Sequence, residues 1–201
     1  MAIEQETNDA QTSLEKQELP SELIIQDEQH NPTISEEEPP SSPIPSNDTR
    51  PATLSQDILT ALTLHNSLRR SRNIAPLNYD KSLQDSARQW AEHLAKNVGK
   101  LEHATDIDQG ENIYWASGGG FEKEPCANAT RSWLNEGRWY TGQRVGDPAQ
   151  GVIGHFTQCM WSGTRRVGMA AVEGGNGDGK RGVYVVARYE PGGNFVGERP
   201  Y

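Results

Sequence analysis

Cysteine is scarce in this chain. Its 201 residues hold two, Cys126 and Cys159, so at most one disulfide is available and a disulfide-stapled scaffold is excluded. No run of 18 apolar residues occurs, which excludes a transmembrane helix. The start of the chain as given lacks the basic stretch and apolar core of a secretory signal, and Ala2 stands where N-myristoylation needs glycine. Neither a Gly-x-Ser-x-Gly elbow nor a His-Glu-x-x-His pattern is present, so two common hydrolase signatures are missing. Residues 1–50 contain no Phe, Tyr or Trp but 6 of the 12 prolines.

Charge is unevenly placed. Residues 1–50 carry 12 Asp and Glu against 2 Lys and Arg, a net of −10 within a whole-chain −9. With so little apolar surface to bury, this acidic, proline-rich stretch is expected to be a disordered tail. Residues 51–201 carry 16 acids and 17 bases, a net of +1, and form the expected folded domain. A near-neutral domain is not the profile of a nucleic-acid binder.

Periodicity outlines that domain. Ser55 is placed to cap a helix whose apolar positions are Ile58, Ala61, Leu62, His65 and Leu68, running to about Arg72. Asp80 caps a second with the stripe Leu83, Ala87, Trp90, Ala91, Leu94 and Val98, stopped by Gly99. A short extended piece over 112–115 precedes a glycine loop at 118–120. A third helix is expected from about Ala127 to Gly137 and a short fourth over 154–162. The period then becomes two: Val167 to Val172 and Val183 to Tyr189 read as a hairpin around the loop 174–180. Helices first and paired strands last predict a single α/β domain, a three-layer α/β/α sandwich with a mainly antiparallel sheet.

Several motifs have a functional and a plainer reading. Gly174 to Lys180 nearly spells a phosphate loop, but Arg181 replaces the Ser or Thr and a strand follows where a helix is needed, so a hairpin turn is the better reading. His155 and Cys159 share a helical face as a nucleophile pair would, yet Cys159 falls in the packed phase with Phe156 and Met160. Arg69, Arg70, Arg72, Arg165, Arg166, Lys180 and Arg181 are basic clusters able to meet anionic headgroups, with a solvated face as the commoner explanation. Joining Cys126 to Cys159 would close a loop of roughly 34 residues; two free core thiols are the alternative. Asn128-Ala129-Thr130 is a glycosylation sequon, meaningful only on a secretory route. His103, Glu111, Glu136 and His155 each lie beside an aromatic-rich segment. Converging on one cleft, they could bind Zn²⁺ or act as general acid and base; apart, they are hydrogen-bonded structural residues.

Four segments in order carry a resemblance: Leu64-His65-Asn66; Gly110-Glu111-Asn112-Ile113-Tyr114-Trp115; Gly154-His155-Phe156-Thr157-Gln158-Cys159-Met160-Trp161; and Tyr189-Glu190-Pro191-Gly192-Gly193-Asn194. They resemble the signatures of the CAP superfamily (SCP domain), which spans cysteine-rich secretory proteins, antigen 5 and pathogenesis-related class 1 proteins. The resemblance covers about residues 54–201 and is nearest the pathogenesis-related class 1 and signal-less Golgi-associated types. Cys159-Met160 departs from the two aliphatic residues usual there, and the six-cysteine framework of the plant proteins is absent.

The resemblance implies a cleft with a His/Glu tetrad at His103, Glu111, Glu136 and His155, able to hold a divalent metal (Zn²⁺ or Mg²⁺), and a structural role for His65. It implies a non-enzymatic protein that binds sterols, fatty acids or related lipids, and Tyr114, Trp115 and Phe121 beside the glycine loop are the expected lipid-binding residues. A metal-dependent hydrolase using the tetrad and a host-defence interaction module are the alternatives. Peripheral membrane contact and a homodimer are further expectations. The family habit is extracellular; without a signal in the sequence as given, a cytoplasmic or membrane-peripheral location is the alternative.

Overall fold

The computed structural model describes residues 54–118, 120 and 123–201. The expected disordered tail over 1–50 lies outside the described residues. Helix α1 spans Gln56–Ser71, with the Ser55 hydroxyl accepting the Ile58 amide at 3.4 Å. Strand β1 (Asn78–Tyr79) leads into α2 (Lys81–His93), whose Asp80 cap accepts the Ser82 and Leu83 amides at 2.8 and 3.1 Å. The helix then widens into a π turn over Leu94–Val98, closed by Gly99 in the left-handed conformation. Strand β2 (Gly110–Ala116) crosses to α3 (Pro125–Asn135). Helix α3 starts two residues before the expected Ala127, because Pro125 can occupy the first helical position. Its end tightens into a 3₁₀ turn, Glu136–Trp139. Helix α4 (Gly154–Cys159) stops short of the expected Ser162, and β3 (Arg166–Gly175) and β4 (Arg181–Glu190) form the hairpin.

The sheet order is β1-β3-β4-β2. Strands β3 and β4 pair antiparallel from Arg166↔Glu190 to Gly175↔Arg181, and β2 pairs antiparallel with β4 from Gly110↔Tyr189 to Ala116↔Val183. Only the two-residue β1 runs parallel to its neighbour, β3. Odd-numbered β4 residues (Val183, Val185, Ala187, Tyr189) pack under Ile58, Ala61, Trp133 and Phe156 from α1, α3 and α4. Tyr184 and Val186 meet Ala87, Ala91 and Leu94 of α2 on the other face. This is the three-layer sandwich the sequence predicts. Helix α2 reaches its sheet only because Gly168 has no side chain: a Cβ there would collide with the backbone of Leu83 and Gln84. Among the described residues no helix is long and apolar enough to cross a membrane.

One residue of the expected solvated basic face is instead at the centre of the fold. Arg69 is 0 % exposed, and its guanidinium donates to the carbonyls of Ala75, Cys159, Trp161 and Thr164 at 2.8–3.0 Å. The reading as surface charge fails because a helix-end arginine on the inward stripe can satisfy its donors with carbonyls where chain segments end. Of the other cluster members, Arg166 pairs with Asp80 and Glu190, and Arg181 approaches Glu173 at 3.8 Å. Replacing Arg69 with Met keeps most of the volume but orphans four carbonyls. Arg69→Met is therefore expected to lose about 3 kcal/mol or more in urea denaturation, against under about 0.5 kcal/mol for exposed Arg70→Met.

Candidate functional site

The four residues of the expected tetrad form two pairs. His103 Nδ1 lies 2.6 Å from Glu111 Oε1, which also accepts the Ala104 amide at 3.1 Å. His155 Nδ1 lies 2.6 Å from Glu136 Oε1, while Glu136 Oε2 accepts the His155 and Phe156 amides at 3.0 and 3.2 Å. Glu136 thus caps the short helix α4 from a distance and orients the imidazole at its start. In both pairs the carboxylate holds Nδ1 and leaves Nε2 as the free ring nitrogen. The environments differ: the His103 side chain is 60 % exposed and that of His155 28 %, over Glu111 at 4 % and Glu136 at 17 %.

The two pairs differ in their neighbours. Glu111 projects from the β2 face that carries Ile113 and Trp115, beside its cross-strand neighbour Arg188, whose Nη1 is 3.0 Å from Glu111 Oε2. Asn112 projects the other way and donates to the His155 carbonyl at 3.0 Å. Among the described residues no three His, Cys, Asp or Glu side chains group to hold a metal ion. Both carboxylates are engaged with amides and imidazoles. What the chain offers a cation is imidazole Nε2 atoms.

Beneath α4 lies a buried polar hub. Tyr189 OH touches His65 Nε2 at 2.9 Å, Asn112 Nδ2 at 3.3 Å and Cys159 Sγ at 3.5 Å. His65 Nδ1 donates to the Ala61 carbonyl at 2.8 Å, so its Nε2 accepts from the tyrosine hydroxyl. The structural role implied for His65 is what the geometry gives. Burial pulls the His65 pKa down to about 4 and pushes the Cys159 thiol up to about 12.

Cys126 and Cys159 are both buried free thiols, so the expected disulfide is not formed. Cys126 opens α3 against Asp57, whose carboxylate accepts the Cys126 and Ala127 amides, while Cys159 is committed to Asn112 and Tyr189. Nor do His155 and Cys159 form a nucleophile pair, since their polar atoms serve different partners. Thr130 of the sequon is 0 % exposed with its hydroxyl on the Cys126 carbonyl, so the folded chain does not present that sequon. The near-phosphate loop is a hairpin turn: Asn176 Oδ1 accepts the Asp178 and Lys180 amides at 3.2 and 2.9 Å.

The expected lipid-binding residues divide. Phe121 lies outside the described residues. Tyr114 packs with the α1/α3 core and Trp115 with the α2 core, because neighbours on a strand face opposite ways. Trp115 and Tyr184, rings tilted at 6.4 Å, line a cavity of about 300 Å³ closed by Gly99, Leu101 and Gly177 and rimmed by Lys100 and Asp178. The indole lies across Gly182, where a Cβ would stand 2.9 Å from its Cε2. Trp115 Nε1 is buried without a hydrogen-bond partner. Gly99, Leu101, Gly177 and Tyr184 are lining residues that sequence reasoning missed, because they come from the end of the π turn, the loop after it, the hairpin loop and β4.

Comparison with known proteins agrees with this fold. The chain matches the model of the cysteine-rich secretory protein family (CAP) over residues 62–189 and belongs to that family. Within it, plant pathogenesis-related proteins are similar along most of their length. The maize protein PRMS is 36 % identical over 140 residues, covering 70 % of this chain and 80 % of the relative. Pathogenesis-related protein 1C of tobacco (Nicotiana tabacum) is 36 % identical over 147 residues, covering 73 % and 80 %. Among solved structures, Na-ASP-1 superposes with a TM-score of 0.62 at 24 % identity over 82 % of this chain and 46 % of that one. NaASP2, crystallised with Zn²⁺, gives 0.57 at 25 % over 78 % and 88 %.

The hub makes stability depend on pH. Below about 6.5 the unfolded chain protonates His65, while the folded chain resists until about 4, so stability falls as pH drops through that window. The loss expected from this residue is roughly 3 kcal/mol. Thermal denaturation between pH 7 and 4 should show it, and the slope should flatten in His65→Gln even though that variant starts less stable.

Proposed function

We propose that this chain is a non-enzymatic defence-type CAP protein that binds a sterol or related amphipathic lipid. The observation that carries the reading is the Trp115 cavity, a recess walled by the Trp115 and Tyr184 rings. A ligand's apolar ring system would cover the Trp115 and Tyr184 rings, with Lys100 and Asp178 near enough to meet its polar end. About 300 Å³ is at the small end of ligand cavities, suited to the oxygen-bearing end of such a molecule rather than all of it. The names of the plant relatives support the defence role, and the commitment of Glu111 and Glu136 to amides and imidazoles speaks against the hydrolase alternative.

A fluorescent sterol titrated into the purified full chain is expected to saturate at about micromolar concentration. Trp115→Ala removes the aromatic wall and should weaken binding about tenfold, with Trp115→Phe, which keeps a ring, affected less. A wild-type chain that never saturates with sterol or fatty acid overturns the reading.

A divalent metal, in this proposal, is a loosely held extra ligand of imidazole Nε2. Zinc uptake followed by calorimetry should be weak, should fall as pH drops through the imidazole range, and should diminish in His155→Ala. Sterol affinity should be the same with and without zinc.

A further inference from the structure

Seven large apolar side chains are exposed among the described residues, and four of them, Val152, Phe195, Val196 and Tyr201, fall at one end of the domain. Val196 is 85 % exposed, Val152 65 % and Phe195 55 %. Val196 occupies the tip of a turn closed by the Glu198 amide on the Phe195 carbonyl at 3.0 Å. That turn is rigidly mounted. Val145 N donates to Glu198 O and Gly197 N to Val145 O, each at 2.8 Å. The Asn194 side chain donates to the Gly154 carbonyl at 2.8 Å, which brings Phe195 toward the loop carrying Val152. Phe195 rests edge-on against Trp161, and Tyr140 and Tyr201 pack together behind it. An apolar tip on a pinned loop loses little conformational entropy on insertion, unlike the same residues on a loose loop.

Cations collar the tip without being neutralised. Arg144 Nη1 donates to the Gly197 carbonyl at 2.6 Å and Arg199 Nε to the Gly142 carbonyl at 2.7 Å. Arg138 lies over the Trp139 ring at 5.0 Å and Arg72 over the Tyr201 ring at 5.9 Å. Their partners are carbonyls and ring faces, whereas Lys81, Lys96, Lys100 and Arg166 elsewhere are ion-paired with carboxylates. Two carboxylates share the loops: Asp147, which accepts the Arg144 backbone amide at 2.9 Å, and Glu198. The result is an apolar point, interface-type aromatics behind it, and guanidinium groups with their charge available.

We propose that this end of the domain docks on a lipid bilayer bearing anionic headgroups, with Val196, Phe195 and Val152 entering the acyl boundary and Arg144, Arg199 and Arg138 meeting phosphates. The surface is separate from the Trp115 cavity and stands whether or not that cavity takes a sterol. Co-sedimentation of the full chain with phosphatidylcholine vesicles, with and without about one third phosphatidylserine, tests it. The chain is expected to sediment with the anionic vesicles, less with the neutral ones, and less again at high salt. Val196→Asp and Val152→Asp, both at exposed positions that the fold does not use, should each lower the bound fraction about tenfold. Ile107→Asp, at an exposed apolar residue in a different loop, should bind as the wild type does. Absence of sedimentation with anionic vesicles overturns the proposal. So does equal binding by Val196→Asp with an unchanged circular dichroism spectrum, or an equal loss in Ile107→Asp, which would move the contact elsewhere.

Discussion

The arrangement of the α1, α3 and α4 layer depends on a buried guanidinium held by backbone carbonyls. Arg69 leaves the last turn of α1 and gathers four carbonyls: one from the loop after α1, two from the end of α4 and the residues just beyond it, one from the turn before β3. A buried cation is tolerated only when its donors are met. Carbonyls at chain ends are the groups with spare acceptors. The cation and the ends of three segments therefore satisfy one another. A helix of six residues such as α4 has no stability of its own. It exists because Arg69 holds its last carbonyls and Glu136 its first amides. The position of His155 follows from those two anchors.

The same logic explains the two acidic residues of the family tetrad. Each carboxylate accepts backbone N–H and imidazole Nδ1–H together, and Glu111 also faces the buried Arg188. Arg188 Nε is left without a hydrogen-bond partner, so that ion pair is held more by its charge than by full satisfaction of its donors. In this chain the acids build the frame and the imidazoles present a ring nitrogen from it. Chemistry that needs a free carboxylate there would have to break a hydrogen bond from a backbone N–H first, at α4 in one pair and at Ala104 in the other.

Local signals were legible in the sequence, and long-range ones were not. Ser55, Asp80 and Gly99 announce helix ends because caps act within one turn, and the hairpin announces itself by a change of period. Family signatures brought out His65 and all four tetrad positions. They did not show that Glu111 pairs with the buried Arg188 while Asn112, next in sequence, bonds to the His155 carbonyl. Strand alternation splits Tyr114 from Trp115. Arg69 reads as one of a surface cluster because nothing within six residues hints at carbonyls some 90 positions away. Asp57 reads as an ordinary first-turn acid of α1, yet its carboxylate caps α3. Partners of this kind become visible only once the layers are stacked.

The Trp115 cavity and the apolar tip lie toward opposite ends of one ladder. Trp115 and the loop at Gly177 mark the hairpin end of β3 and β4, while Arg165, bonded to Glu190, and Ser162, bonded to Pro200, mark the other. Along β4, Glu190 at the other end is six residues on from Tyr184 at the cavity, about 20 Å of strand. A domain seated on a bilayer by Val196 would thus hold the Trp115 cavity well above the headgroups. Such a geometry does not suit a protein that draws its ligand from the membrane on which it sits. It suits one that is tethered at one end and takes a dissolved or carrier-delivered amphiphile at the other. The rigid sheet between them makes the two acts independent unless strands are displaced. That independence separates the two properties physically, since the residues of one site contribute nothing to the other.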